Sequence, residues 1–336
     1  MINPLYAASG GRYDAGMVYE RCGRSGIRLP RISLGMWHNF GDVDSLANSR
    51  DMLHYAFDHG ITCFDLANNY GPSYGSAEET FGLIMESSFR PYRDEMIITS
   101  KAGHDMWPGP YGEWGSRKYL FASLHQSLKR MKLDYVDIFY SHRYDPETPL
   151  EETLQALVDI VRQGKALYVG ISKWPVEAAK VAYVYLAARD VPCLIYQGRY
   201  NMLDRDVETS GILRQAAEAG VGFTAFSPLA QGILTGRYLN GIPADSRAAK
   251  HRFLTPGNIT PAVVEGIKAL NVIAERRGQT LAQMSLAWLL KDSHVTSVII
   301  GSSSVAQLAD SIRCVDNTGF SPEELAEIDS ITARML

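Results

Sequence analysis

Residues 136–172 read VDIFYSHRYDPETPLEETLQALVDIVRQGKALYVGIS. The two ends of this stretch, VDIFYSH (136–142) and ALYVGIS (166–172), carry apolar residues on consecutive positions, as parallel strands covered on both faces do. Between them, Thr148-Pro149-Leu150-Glu151 has the pattern of a capping box with proline at the first helical position. Leu150, Leu154, Leu157 and Val161 then recur on one helical face. The stretch predicts one strand–helix–strand unit with a crossover between parallel strands.

The same unit recurs on both sides. Further β-branched or aromatic runs lie at 32–35, 61–67, 95–101, 194–200, 222–228 and 295–301, which makes eight candidate strands. Helical patterns fall between them. Leu120, Leu124, Leu128 and Met131 trace a stripe in 116–131, and Ser76-Ala77-Glu78-Glu79 and Thr280-Leu281-Ala282-Gln283 read as two more capping boxes. Eight alternations of strand and helix predict an α/β fold of the (β/α)8 TIM-barrel type, with a doubly wound sheet as the competing architecture. The expected organisation is a loose tail over 1–16 and a single barrel domain over 17–336. An extended loop, 229–258, is expected after the seventh strand. No linker divides the chain.

Composition narrows the function. The 336 residues are 46% hydrophobic and 21% charged, with a net charge of −4, so the chain folds and has no general attraction for nucleic acid. The four cysteines, 22, 63, 193 and 314, are too scattered for a zinc ribbon or a disulfide scaffold. No apolar run approaches the about 20 residues that cross a bilayer, and MINPLYAASGGRYDAG lacks the pattern of a signal peptide. The expectation is a cytoplasmic protein without metal, nucleic-acid or membrane partners. Its oligomeric state is not legible, and a homo-oligomer stays open.

A barrel does its chemistry at the C-terminal ends of its strands. Asp65 ends the second, Tyr70 follows in the next loop, Lys101 ends the third and His142 the fourth. Each alone reads equally well as a cap, a packed ring, a solvated charge or a structural histidine; their convergence on one rim points to chemistry. The set suits proton donation to a carbonyl. On this reading a Lys101 ammonium lowers the Tyr70 pKa, Asp65 holds that ammonium, and His142 orients the carbonyl oxygen. None of the four supplies a hydride, so a nicotinamide cofactor is required. No G-x-G-x-x-G opens a helix after a strand, which places the cofactor on the barrel itself, with its phosphates near strands seven and eight. Ser227-Pro228-Leu229-Ala230-Gln231-Gly232 and Gly301-Ser302-Ser303 lie there. Arg237 and Arg247 offer phosphate partners or surface charges.

DLANNY (65–70), Lys101, YSHR (140–143), GIS (170–172) and SPLAQG (227–232) together resemble the aldo-keto reductase superfamily over about residues 17–336. LGMWHNFG (34–41), ANNYGPSYGSAEE (67–79), KAGHDMWPGPYG (101–112) and LNGIPADSR (239–247) are similar to its bacterial L-glyceraldehyde 3-phosphate reductase branch, itself akin to potassium-channel β subunits. The resemblance implies a catalytic tetrad of Asp65, Tyr70, Lys101 and His142, with Tyr70 the acid, and NADPH/NADP+ bound extended. It implies Met36 and Trp37 beside the nicotinamide, Ser172 and Gln197 on its carboxamide, and Phe226 stacked on the ring. Ser227, Leu229 and Gln231 match the pyrophosphate loop. Arg237, Arg247, Ser303 and Gln307 match the adenosine and 2′-phosphate end, and Gly301 belongs to the cofactor-binding set. Near relatives carry Glu-Asn where this chain has Asp310-Ser311, whose shorter side chains reach less far toward adenine.

For substrate, Trp37 and Trp107 are candidate walls of an aromatic mouth, and Arg143 and Arg117 are candidate partners of a phosphate, although Arg143 pairs equally well with Asp145 on spacing. The implied activity is reduction of small aldehydes, L-glyceraldehyde 3-phosphate or methylglyoxal among them. Two rivals stay open. One is a cofactor-sensing regulatory subunit, against which His142 counts, since channel subunits typically have Asn there. The other is a Schiff-base aldolase acting through Lys101, against which Asp65 counts by keeping that lysine protonated.

Overall fold

The structure is a computed structural model that describes residues 6–244, 246, 248–249 and 254–335. All eight anticipated strands form. They are β3 (Ile32–Gly35), β4 (Cys63–Asp65), β5 (Ile97–Ala102), β6 (Val136–Ser141), β7 (Ala166–Ser172), β8 (Cys193–Arg199), β9 (Gly222–Phe226) and β10 (Ser297–Ile300). They pair in parallel in chain order, and β10 closes the barrel between β9 and β3. Every residue of β6 is buried, inward side chains in the barrel and outward ones beneath helices.

Around the barrel run α1 (Leu46–Asp58), α2 (Ser76–Ile84), α3 (Arg117–Met131), α4 (Leu150–Arg162), α5 (Val176–Ala187), α6 (Asp206–Thr209), α7 (Ile212–Ala219), α8 (Pro261–Arg276), α9 (Leu281–Leu290), α10 (Val305–Ile312) and α11 (Pro322–Thr332). The long gap before β10 thus holds α8 and α9 as well as the irregular segment after β9. The α3 stripe is buried as expected, and Thr280 with Gln283 forms the expected capping box on α9. The other two boxes do not form. Thr148 Oγ1 donates to Asp145 Oδ2 at 2.6 Å and α4 begins after Pro149 at the cap position. Ser76 Oγ donates to Ser73 O at 2.7 Å, while Gly75 caps α2 in the left-handed region.

A short antiparallel hairpin, β1 (Tyr19–Arg21) and β2 (Arg28–Pro30), closes the N-terminal end of the barrel. Cys22 and Leu29 pack there against Cys63, Ile138 and Leu194. All four cysteines are buried free thiols. The described part of the expected loose tail is tied down instead. Tyr6 stacks on His54 at 3.8 Å and donates to Asp58 at 2.7 Å, and Arg12 pairs with Glu95.

A buried charge pair fixes α2 and α3 to the barrel. Glu78 accepts from Ser100 Oγ at 2.6 Å and from Arg130 Nε at 2.8 Å. Close approach requires Gly82, because a Cβ there runs into the Arg130 carbonyl oxygen. We expect Gly82→Ala to cost about 1–3 kcal/mol by overpacking, read as a lower denaturation midpoint; an unchanged midpoint contradicts this packing.

Candidate active site

The chain turns out of β4 directly after Asp65, and backbone bonds hold the following loop. The N–H groups of Gly75 and Ala77 both donate to the Tyr70 carbonyl, and Asn68 N donates to Lys101 O at 3.0 Å. This brings Tyr70 back over β5. Lys101 is completely buried. Its Nζ donates to Asp65 Oδ2 at 2.6 Å, to Leu66 O at 2.7 Å and to Tyr70 Oη at 3.3 Å, which uses all three ammonium protons. The other Asp65 oxygen accepts from Thr99 Oγ1 at 2.9 Å and Gln197 Nε2 at 3.0 Å. A buried ion pair needs this degree of satisfaction to persist.

The geometry corrects one expectation. Tyr70 does not have a lowered pKa: burial, followed by the Asp65 carboxylate, holds its phenol well above the ordinary value. Tyr70 therefore stands protonated at neutral pH, with the Lys101 ammonium 3.3 Å from its oxygen. Burial pulls the Lys101 ammonium below its ordinary value and Asp65 pushes it back up. His142 completes the group, with its ring edge-on to Tyr70 at 5.8 Å. Burial first, then Lys101 and other nearby cations, hold its imidazole well below the ordinary value. It is therefore neutral, and its buried Nδ1 has no hydrogen-bond partner among the described residues.

These side chains open into a cavity of about 720 Å³ that Trp37, Asn69, Tyr74, His104, Lys173 and Phe226 help to wall. Trp37, Tyr70, His142, Gln197 and Phe226 were legible as site residues; Asn69, Tyr74, His104 and Lys173 were not. Three substrate expectations fail. Trp107 does not line the cavity and packs on Tyr119 at 5.1 Å. Arg143 is held elsewhere, donating to Gly103 O at 2.7 Å and Glu113 Oε2 at 2.8 Å with its guanidinium 3.5 Å from the Trp114 ring. Asp145, its anticipated partner, instead accepts from Gly115 N and Thr148. Arg117 pairs with Asp159 on α4.

A family model of the aldo/keto reductases matches residues 31–333. The chain belongs to the aldo/keto reductase family. The L-glyceraldehyde 3-phosphate reductases of Escherichia coli O157:H7 and Escherichia coli strain K12 are each 55% identical to it over 329 residues, 97% of this chain and 95% of theirs. A probable voltage-gated potassium channel subunit beta of Arabidopsis thaliana is 35% identical over 307 residues, 89% of this chain and 92% of its own. This aldo/keto reductase is an NADP-dependent oxidoreductase of small aldehydes.

The residues present fit the cofactor. Ser172 Oγ, at the end of β7 and in register with Gln197, is buried without a partner among the described residues and offers a place for a carboxamide. Met36, expected beside the nicotinamide, is fully buried with its N–H donating to Asp65 O and is not among the residues that wall the cavity. After β9, Ser227, Ala230 and Gln231 all take positive φ (53°, 46° and 62°). Such backbone strain costs of order 1–3 kcal/mol per residue and concentrates at ligand clamps. Asn201 Nδ2 fixes the loop by donating to Ser227 O at 3.0 Å, and Leu229 lies half-buried within it. Arg237 follows in a turn capped by Thr235. Arg247 lies outside the described residues.

At the start of α10, Gly301 is exposed and the Gln307 amide oxygen accepts from Ser303 N and Oγ at 3.1 and 2.9 Å. Asp310 departs from the adenine role. Its carboxylate accepts from Gln283 Nε2 at 2.7 Å and Thr280 Oγ1 at 3.1 Å, at the start of α9. Ser311 is buried.

The electrostatics carry a pH prediction. Burial and the cation of Lys173 bring His104 down to about 4, and His142 is also lowered. Both are depressed, so both are already neutral through the range where a free histidine titrates. We expect kcat/KM for an unphosphorylated aldehyde, which follows the groups of the free enzyme, to stay level from about pH 5.5 to 7.5. A limb in the pH–rate profile with its midpoint in that window contradicts the assignment.

Proposed function

We propose that this enzyme reduces L-glyceraldehyde 3-phosphate to the corresponding alcohol, with methylglyoxal as a second substrate of the same site. The contact among Lys101, Asp65 and Tyr70 carries the chemistry; the name borne by the 55% identical relatives carries the substrate. NADPH, when bound, supplies the hydride. Ser172 and Gln197 would hold its carboxamide end and Phe226 and Trp37 would pack on its ring. Ser227, Leu229 and Gln231 would take the pyrophosphate, with Arg237, Arg247, Ser303 and Gln307 at the adenosine and 2′-phosphate end and Gly301 beside them.

The chain's own residues do the rest. His142 donates to the aldehyde oxygen and fixes its direction. Tyr70 passes its hydroxyl proton to that oxygen as carbon accepts the hydride. The resulting phenolate lies 3.3 Å from the Lys101 ammonium, which is already in place when the charge develops. Water returns the proton to Tyr70. Four buried thiols and the NADP dependence suit a reducing, cytoplasmic compartment.

The test is loss of NADPH absorbance with glyceraldehyde 3-phosphate, methylglyoxal and unphosphorylated glyceraldehyde. Turnover with the phosphorylated aldehyde supports the proposal. Similarity to a channel subunit favours a second reading, a cofactor-sensing regulatory protein. Tight NADPH binding with no turnover on any aldehyde selects that reading instead.

A further inference from the structure

We infer that Lys173, steadied by His104, receives the phosphate of the aldehyde; the inference rests on the substrate proposed above. Both residues line the cavity with Tyr70 and His142. Lys173 Nζ lies 2.8 Å from His104 Nε2, and the His104 ring stands edge-on to His142 at 4.6 Å. A single imidazole therefore separates the ammonium from the tetrad. One of three ammonium protons is used in that contact.

The surroundings call for an anion. The charged groups acting on Lys173 are Lys101 and Arg143, both cations. Asp105 is the one carboxylate among the described lining residues, and it accepts from Tyr74 Oη at 2.8 Å. The arginines that the sequence offered for this purpose are spent on Glu113 and Asp159. Lys173 also adopts a φ of 57° directly after β7, held by its N–H to Gln197 O at 3.2 Å. A non-glycine residue in that region is uncommon, and such strain gathers at functional positions. The residue as a whole is exposed, but desolvation of its ammonium within the cavity, followed by Lys101 and Arg143, brings that group down to about 8, which leaves it charged at neutral pH. A phosphate monoester carries between one and two negative charges there. Charge-assisted hydrogen bonds between the two are short and strong.

The test compares glyceraldehyde 3-phosphate with unphosphorylated glyceraldehyde, using wild type, Lys173→Gln and Lys173→Arg. In the Gln variant the ratio of their kcat/KM values falls about tenfold or more, through KM of the phosphorylated substrate. The Arg variant recovers most of that ratio. NADPH affinity, read by quenching of protein fluorescence, changes less than about twofold in either variant. A ratio unchanged in the Gln variant overturns the inference and leaves the proposed substrate standing. Loss confined to NADPH affinity also overturns it, since the lysine then serves the cofactor. A wild-type enzyme that turns over unphosphorylated aldehydes only overturns the proposed substrate and this inference together.

Discussion

Tyr70→Phe is expected to lower kcat for aldehyde reduction by about 10³-fold, within the range that general acids contribute. The ring remains and keeps its packing against His142 and Trp37. Only the hydroxyl that lies 3.3 Å from Lys101 Nζ is lost. Folding and NADPH binding should therefore persist, with the dissociation constant for NADPH changed by less than about twofold. Single-turnover kinetics at saturating NADPH measure this directly. A kcat within a few-fold of wild type removes Tyr70 from the role of acid. A comparable loss of NADPH affinity reassigns it to binding.

Lys101→Met is expected to have two large effects that separate. Without the ammonium, the Asp65 carboxylate is stranded; among the described residues only Thr99 and Gln197 still donate to it. Breaking a buried pair from one side costs about 3–5 kcal/mol, so the denaturation midpoint falls. Turnover falls as well, by about 10²- to 10⁴-fold, because no cation meets the Tyr70 phenolate as it forms. The double variant Asp65→Asn/Lys101→Met restores most of the stability, since no buried charge is left unpaired. It does not restore turnover. Recovery of both together would mean that the pair is structural only.

The eight barrel strands were legible because parallel strands covered on both faces appear as unbroken apolar runs, as VDIFYSH and ALYVGIS do. The hairpin that closes the barrel was not, since three-residue strands carry no periodicity. Two capping boxes failed for one reason: Thr148 and Ser76 spend their hydroxyls on Asp145 and Ser73, partners that only the folded loop supplies.

The tetrad was legible in a similar way to the strands, because each member sits at a strand end or in the loop that follows one. Its electrostatics were not. Spacing places an ammonium beside Tyr70, but burial and the Asp65 partnership decide which way the phenol shifts. The substrate side was read least well. Arg143 and Trp107 are diverted by Glu113, Trp114 and Tyr119, none of which is near them in any regular sequence pattern. Lys173 enters the cavity through a left-handed backbone that no pattern of side chains announces.

Reduction by Tyr70 requires the nicotinamide to meet it inside the cavity walled by Trp37 and Phe226. A crystal structure of the enzyme with NADP+ measures this most directly. We predict the carboxamide within hydrogen-bonding distance of Ser172 Oγ, with the hydride-bearing carbon separated from Tyr70 Oη by the space of one carbonyl group. A nicotinamide bound outside that cavity, or one facing away from Tyr70, contradicts the mechanism.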